Sequence, residues 1–277
     1  MSKYVTKSSD YALELKNISK SFDNNFDVIK DISLKVRKGE FICFIGPSGC
    51  GKTVLLYIIA GFLYPSKGKI LINNSEINSI GLDRIMVFQD HMLFPWKTVL
   101  GNILFGLTST NLSNDKKIAI AEKYLDLVDL SKFKDWPIHK LSGGMKQRVA
   151  FARALVADPK ILLMDEPFSS LDSIARKNLR KSLIKIWQKT KKTILFVTHS
   201  VNEAAYLADT IYVMSSRPTT IKKSYFIKLP HPRDMSDSKF IQIVKKLESD
   251  IEMEFSLNKN NINSDMNNIN DILLNNF

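Results

Sequence analysis

A glycine-rich octapeptide, Gly46–Thr53, lies between a short apolar run and a segment with helical character. It reads GPSGCGKT and matches the pattern G-x-x-x-x-G-K-[ST]. The preceding run FICFI, Phe41–Ile45, is typical of a buried strand, and Lys52–Ala60 reads as a helix. A glycine-rich backbone lets N–H groups wrap closely round a polyphosphate, and the following helix N-terminus adds a favourable dipole. The octapeptide therefore predicts a strand–loop–helix unit that binds phosphate groups.

Individual residues of this loop have predictable roles. Lys52 can reach the β- and γ-phosphates, and the Thr53 hydroxyl can ligate Mg²⁺. Cys50 reads as a neutral filler and not as a nucleophile, and Val54 offers the phosphates no hydroxyl. The residues predicted to bind nucleotide here are Gly46, Pro47, Ser48, Gly49, Cys50, Gly51, Lys52, Thr53 and Val54.

A second apolar run ends in two acidic residues. Ile161–Pro167 reads ILLMDEP. A carboxylate at the carboxyl end of a strand, beside the phosphate loop, is well placed to hold Mg²⁺, and we predict this role for Asp165. Glu166 follows on the other side of the chain, where it can act as a general base on an attacking water. Together the two motifs predict a nucleoside triphosphatase.

The order of strand-like and helical segments indicates the fold class. Ile161–Met164 and Thr193–Val197 are continuous apolar runs typical of parallel strands covered on both faces. Lys116–Leu130 and Asp172–Lys189 have helical character. We therefore expect an α/β domain with a mostly parallel sheet. Before residue 41, ALELK and VIKDISLKV predict strands, with turns at Asp23–Asn25 and Lys38–Gly39.

The remaining segments predict additions to this core. Residues 90–157 are expected to be helical throughout, as an inserted subdomain, within a domain that spans residues 1–234. Residues 235–257 are predicted to form a helical extension, because Phe240, Ile243, Val244, Leu247 and Ile251 have helical spacing. Residues 258–277 are rich in asparagine and predict a disordered tail.

Composition limits where such a chain works. Hydrophobic residues make up 44% and charged residues 25%, which is enough apolar material for a large core and excludes wholesale disorder. The longest apolar stretch, Val54–Tyr64, is shorter than the ~20 residues of a membrane span. Two cysteines and no secretory signal suit a reducing compartment. The net charge of +12 comes from scattered lysines without interleaved aromatics, so we expect a solvated basic surface and no nucleic-acid partner.

One further motif points to a family. Leu141–Arg148 reads LSGGMKQR and begins a helical period, with Ser142 lying 23 residues before Asp165. Beside the two motifs above, it resembles the signature of ATP-binding cassette (ABC) ATPases. The resemblance covers roughly residues 11–230. It implies an inserted helical subdomain, an N-terminal antiparallel β subdomain and ATP as the nucleotide. It also implies that Ser142, Gly143 and Gly144 present a phosphate-binding helix N-terminus.

The other landmarks of this family follow in order. Gln89 in VFQDHMLFPW looks like the Q-loop glutamine, which implies a catalytic role and contact with Mg²⁺. Asp172 in SSLD resembles the D-loop aspartate, and His199 in FVTHS resembles the switch histidine. Phe22 in NISKSF matches the aromatic residue that stacks on adenine. The resemblance therefore implies that Glu166, His199, Lys52 and Gln89 are catalytic, and that Thr53, Gln89 and Asp165 hold the metal.

Finer patterns resemble one branch of the family. The segments GLDRIMVFQDHMLFPWKTVLGNILFGL, MDEPFSSLD and VMSSRP are similar to the ATPases of nitrate, sulfonate and taurine importers. This implies an ATPase that drives uptake of a small anionic or polar solute, without indicating which one. Two residues depart from the usual pattern: Val54 replaces a second hydroxyl, and Ser200 stands where many members have Asp.

The resemblance also implies partners. Two subunits form a head-to-tail ATP sandwich, in which Lys52 and Thr53 of one face Ser142–Gly144 of the other. Separate transmembrane permease subunits, contacted through Gln89–Trp96, supply the pathway and serve a solute-binding protein indirectly. The ATPase is then peripheral on the cytoplasmic face of the inner membrane. Three alternatives stay open at this level: a non-transport ABC ATPase acting on nucleic acid or ribosomes, a regulatory module without turnover, and an exporter.

Overall fold

The computed structural model describes residues 10–22 and 26–253. Its strands are β1 (Tyr11–Phe22), β2 (Phe26–Arg37), β3 (Phe41–Ile45), β4 (Lys67–Ile72), β5 (Ser75–Ile77), β6 (Arg84–Val87), β7 (Ile161–Asp165), β8 (Thr193–Val197), β9 (Thr210–Met214) and β10 (Ile221–Phe226). Its helices are α1 (Lys52–Ala60), α2 (Val99–Phe105), α3 (Asn114–Leu127), α4 (Gly143–Val156), α5 (Ser173–Thr190), α6 (Val201–Leu207) and α7 (238–253, the last described residue).

The strands form two sheets. The larger sheet has the order β10–β9–β3–β8–β7–β6, and its strands are parallel except for β10, which pairs antiparallel with β9. The smaller sheet has the order β2–β1–β4–β5 and is antiparallel. The predicted architecture, a mostly parallel core with an antiparallel N-terminal sheet, is confirmed. Because β3, β6, β7 and β8 are parallel, their carboxyl ends meet at one edge of the sheet.

Both faces of the parallel sheet are covered, which explains its uninterrupted apolar strands. Alternate residues of β3 point to opposite sides. Ile42 and Phe44 belong to a core shared with α1 and the antiparallel sheet, whereas Phe41 and Cys43 belong to a core shared with α2–α7. All five residues of β3 are inaccessible to solvent. The phosphate loop after β3 is therefore attached to the most deeply buried strand.

The expectation of helix throughout residues 90–157 was wrong at its start and in the connections between α2, α3 and α4, since residues 106–113 and 128–142 contain no α-helix. Residues 90–98 contain no helix, which begins at Val99 with Thr98 as its N-cap. The buried Asn102 side chain accepts from the Phe94 N–H and donates to the Phe94 carbonyl, and Pro95 has no N–H to donate. These bonds satisfy the backbone N–H and carbonyl of Phe94 outside a helix, and residues 90–98 join the core to α2–α4 as a non-helical strap.

Near the C-terminus, α7 packs on the same core as α5 and α6 through Phe240, Val244, Leu247 and Ile251, all buried. The spacing of these residues predicted this helix. The turn predicted at Asp23–Asn25 and the tail predicted at 258–277 lie outside the described residues. Within the described chain, no helix has the length and apolar character needed to span a membrane.

Candidate functional site

The phosphate loop forms a cradle between β3 and α1. Gly49 and Gly51 have φ of +72° and +120°, values that side-chain-bearing residues rarely adopt. Lys52 is buried, and its Nζ donates to the carbonyls of Gly46 and Pro47 at 2.9 and 2.8 Å. The first turn of α1 contains no acidic residue. The loop thus combines a helix N-terminus with an enclosed ammonium group, which together favour a bound anion.

Asp165 ends β7 beside this loop. Its Oδ1 accepts a hydrogen bond of 3.1 Å from the Thr53 hydroxyl. Burial raises the pKa of the Asp165 carboxyl above its ordinary value, and the bond from Thr53 opposes that rise. Asp165 makes no ion pair with any residue that the structure describes, and a cation would lower the cost of burying its charge.

Glu166 and His199 form a second contact at the same edge. Glu166 Oε2 lies 3.1 Å from His199 Nδ1, and its backbone has a φ of 44°. The Glu166 N–H donates to the Val197 carbonyl at 3.0 Å, which attaches the residue to the end of β8. Thus the two adjacent acidic residues separate as expected: Asp165 meets Thr53, and Glu166 meets the histidine that follows the neighbouring strand.

Gln89 follows β6, the edge strand beside β7, and it is exposed. In the parallel register Val87 pairs with Met164, so Gln89 comes just beyond the level of Asp165. Phe22 ends β1 with 42% of its side chain exposed, and the Lys20 ammonium lies 4.9 Å from the ring centroid. An exposed aromatic ring beside a cation suits stacking on a base.

The Ser142–Gly144 segment occupies a different place. Ser142 caps α4 by accepting from the Met145 N–H at 3.3 Å, and Ser142 and Gly144 line a groove of about 430 Å³ that contains none of the phosphate-loop residues. Asp172 lines the same groove and caps α5, accepting from the N–H groups of Ile174 and Ala175. The two halves of the predicted site are therefore apart within one chain.

Several side-chain contacts near these segments are not predicted by the sequence, although His91 and Met92 belong to the range Gln89–Trp96 that was expected to contact permease subunits. His91 Nε2 lies 3.0 Å from the Gly143 carbonyl, and Arg153 donates to the carbonyls of His91 and Met92. Both ends of α4 are thereby joined to the strap after Gln89. Arg217 and Thr219, after β9, donate to the carbonyls of Gly49 and Cys50 in the phosphate loop. Nothing in the local pattern signalled these contacts, because the partners lie 52 to 169 residues apart.

The donor set fits a magnesium ion. Thr53 and Asp165 present a hydroxyl and a carboxylate oxygen to each other, and Gln89 offers an amide oxygen at the same edge. Mg²⁺ prefers such oxygen ligands and takes others from phosphate and water. Among the described residues, no group of three or more His, Cys, Asp or Glu side chains forms a metal cluster.

Comparison with known proteins finds the same family in a family model, in curated relatives and in a solved structure. The family model described as ABC transporter matches residues 29–169. The chain is 47% identical to the taurine import ATP-binding protein TauB of Pelagibacter ubique, over 71% of this chain and 74% of that one. It is 43% identical to the nitrate import ATP-binding protein NrtD of Synechocystis, over 79% and 83%. The dimeric structure of a bacterial ABC transporter cassette matches with a TM-score of 0.68 and 29% identity, over 79% of this chain and 100% of that one.

Proposed function

Because this chain belongs to the ABC transporter family, we propose that it is the ATP-hydrolysing subunit of an importer for a small anionic or polar solute. The observation that carries this proposal is the meeting of four groups at one sheet edge: the phosphate loop, Asp165, Glu166 and His199. The names of the taurine and nitrate relatives support the importer branch and a solute of the nitrate, sulfonate or taurine type. They do not favour an ATPase acting on nucleic acid or ribosomes.

Binding of ATP follows from the loop. The backbone N–H groups at the start of α1 receive the phosphates, and Lys52 exchanges its two carbonyl partners for phosphate oxygens. Phe22 stacks on the adenine. Thr53, Asp165 and Gln89 would hold Mg²⁺, and the ion would neutralise charge on the phosphates.

Hydrolysis depends on orienting one water molecule. The Oε2 atom of Glu166 contacts His199, whereas Oε1 has no hydrogen-bond partner within the described chain. We assign Oε1 to accept a proton from the attacking water, and His199 to hold the carboxylate in place and face the γ-phosphate. Lys52 stabilises the charge that develops on the transferred group.

A complete site requires two subunits. The Ser142–Gly144 segment lies on a separate groove, so one chain does not enclose the γ-phosphate of its own nucleotide. In a head-to-tail homodimer, the α4 N-terminus of one subunit covers the phosphate loop of the other, and closure excludes bulk water. The dimeric relative supports this arrangement.

Permease subunits dock beside the Q-loop strap. A groove of about 340 Å³ lies between β6, α2 and α4, lined by apolar residues that include Ile85 and Phe105. Leu82, Met92 and Trp96 are also exposed nearby, with Trp96 77% accessible. Exposed apolar side chains in such density mark an interaction site. The proposal therefore includes a peripheral position on the cytoplasmic face of the inner membrane and an indirect link, through the permease, to a solute-binding protein.

The test is the substitution Glu166→Gln. We expect ATP binding to persist while hydrolysis falls by about 10²-fold or more, the range for loss of a general base. ATP should then trap a dimer, detected by size-exclusion chromatography. Glu248→Gln, on the exposed side of α7, is the matched control and should behave as the wild type. Near-normal turnover in Glu166→Gln would contradict the proposed mechanism.

A further inference from the structure

Residues 214–219, which are the last residue of β9 and most of the turn before β10, line one side of the phosphate loop and are called the wall here. A Cβ atom added to Gly46 would lie 2.7 Å from the Met214 carbonyl oxygen, so the backbones touch there. A Cβ on Gly49 would lie 3.3 Å from Arg217 Nη2, and one on Gly51 would lie 3.6 Å from Thr219 Oγ1. The turn therefore follows the loop on its outer side from Gly46 to Gly51.

Two hydrogen bonds join the wall to the loop. Arg217 donates from Nε to the Gly49 carbonyl, and the Thr219 hydroxyl donates to the Cys50 carbonyl. In a trans peptide unit the C=O and the following N–H point in opposite directions. Holding these two carbonyls outward therefore turns the N–H groups of Cys50 and Gly51 toward the inside of the loop. There the Cys50 N–H donates to the Pro47 carbonyl at 3.3 Å, a partner that it shares with Lys52 and would exchange for a phosphate oxygen.

The wall is itself anchored independently of the loop. The Thr219 N–H donates to the Val28 carbonyl, and the Thr219 carbonyl accepts from the Lys30 N–H, both at 2.9 Å. The Thr219 side chain is fully buried. Since these bonds attach the turn to β2, the Thr219 hydroxyl is a fixed point against which the loop is oriented.

We propose that Thr219 and Arg217 are positioning residues that preorganise the phosphate loop for the triphosphate of ATP. The inference rests on the proposed function for the identity of the ligand. Neither residue needs to touch the nucleotide. Each residue orients a peptide unit, and the N–H group of that unit contacts the nucleotide. Removing Thr219 or Arg217 therefore lowers the affinity for ATP more than it changes the turnover of bound nucleotide.

The test compares two substitutions at one buried position. Thr219→Val keeps the shape and removes the hydroxyl, whereas Thr219→Ser keeps the hydroxyl and removes a buried methyl group. We expect Thr219→Val to raise the Kd for ATP about tenfold, a ratio equivalent to ~1.4 kcal/mol and within the range for one hydrogen bond. Thr219→Ser should stay within about twofold of the wild type. A role in packing alone predicts the reverse order.

A matched control separates loss of affinity from loss of stability. Thr210 is also fully buried on β9, but its hydroxyl donates to Glu40, away from the loop. Thr210→Val should lower the Tm without raising the Kd for ATP. A Kd for Thr219→Val equal to that of the wild type, or equal losses in Thr219→Val and Thr210→Val, would overturn the inference. Failure of the wild type to bind ATP would instead contradict the proposed function.

If Thr219→Val does not fold, the exposed Arg217 provides the second comparison. Arg217→Met keeps the aliphatic stem and removes the donors, and we expect it to raise the Kd about threefold. Arg217→Lys restores one donor and should recover part of that loss. Equal Kd values for Arg217→Met and the wild type would overturn the role of Arg217.

Discussion

The phosphate loop and the Ser142–Gly144 segment are both glycine-bearing helix N-termini, yet the chain builds them differently. The loop is closely packed: Lys52 is buried, and Cβ atoms on Gly46 and Gly51 would meet neighbouring atoms at 2.7 and 2.9 Å. The Ser142–Gly144 segment is open, because Ser142 and Gly143 are exposed and a Cβ on Gly144 would meet only the Ala175 side chain, at 3.6 Å. The first is shaped by its own chain, and the second is left accessible to another molecule.

This difference suits the two halves of a shared site. The half that binds the nucleotide needs fixed N–H groups, which rigid strands and the 214–219 turn provide. The half that closes over it must approach from outside, so its contacts within the chain are few. Those contacts include the Ser142 cap, the bond between His91 and the Gly143 carbonyl, and the approach of Gly143 to the Leu171 side chain. The following predictions test whether the two halves differ in this way.

The largest expected effect separates the halves between two chains. Lys52→Ala should abolish phosphate binding, and Ser142→Arg should block closure by bulk and charge. Each variant alone should show no ATP-dependent dimer, because both composite sites are damaged. A mixture of the two variants should recover part of the ATP-dependent dimerisation. A mixed dimer places both substitutions in one composite site, so its second site has no substitution. The measurement is size-exclusion chromatography with ATP.

Ser113→Arg is the control for the added charge, since Ser113 is also an exposed helix N-cap, at α3. It should dimerise as the wild type does. Full ATP-dependent assembly of Ser142→Arg alone would contradict the shared site.

The next effect compares two glycine-to-alanine substitutions. Gly51→Ala forces a side chain to a φ of +120° against Val28, so we expect a loss of about 1–3 kcal/mol of stability and loss of ATP binding. Gly144→Ala lies in the first turn of α4, where Ala is favoured over Gly by about 0.5–1 kcal/mol. Its Tm should therefore hold or rise, while ATP-dependent dimerisation falls. An equal decrease of the Tm in both variants would show that the phosphate loop and the Ser142–Gly144 segment are packed equally tightly, and would contradict this comparison.

The smallest effect concerns the free-energy cost of burying the charged Asp165 carboxylate beside the phosphate loop. Burial raises its pKa, so the folded chain binds this proton more tightly than the unfolded chain does. The resulting stability is present below the ordinary carboxyl pKa and is lost as pH rises through the raised value. Without Mg²⁺ and nucleotide, Asp165→Asn should therefore raise the Tm by a few degrees near pH 7.5, and the gain should shrink as pH falls toward about 4.

Asp234 is the control of opposite sign. Hydrogen bonds from the backbone and hydroxyl of Ser236 lower its pKa. Asp234→Asn should therefore lower the Tm at neutral pH, and the loss should disappear as pH falls through the lowered pKa. A Tm for Asp165→Asn below that of the wild type at pH 7.5 would show that burial does not dominate at this carboxylate.

Much of the fold could be predicted because its signals are local. The apolar run Phe41–Ile45 predicts a buried strand, and the periodicity near Phe240 predicts the helix α7. The strap at residues 90–98 could not be predicted in this way. Its non-helical path is held by bonds between Phe94 and Asn102, which lies in the next helix, and such bonds leave no periodic trace in the sequence.

For the site, the sequence by itself determined the chemistry: a glycine loop with Lys52 and Thr53, two acidic residues at a strand end, and a histidine after the next strand. Each of these is set by residue type and local order. The tertiary structure alone decided that Glu166 pairs with His199, and that Arg217 and Thr219 hold a loop 168 and 169 residues away. Such contacts form only when the sheet brings distant strand ends to one edge, so they depend on strand order and parallel pairing rather than on any local pattern.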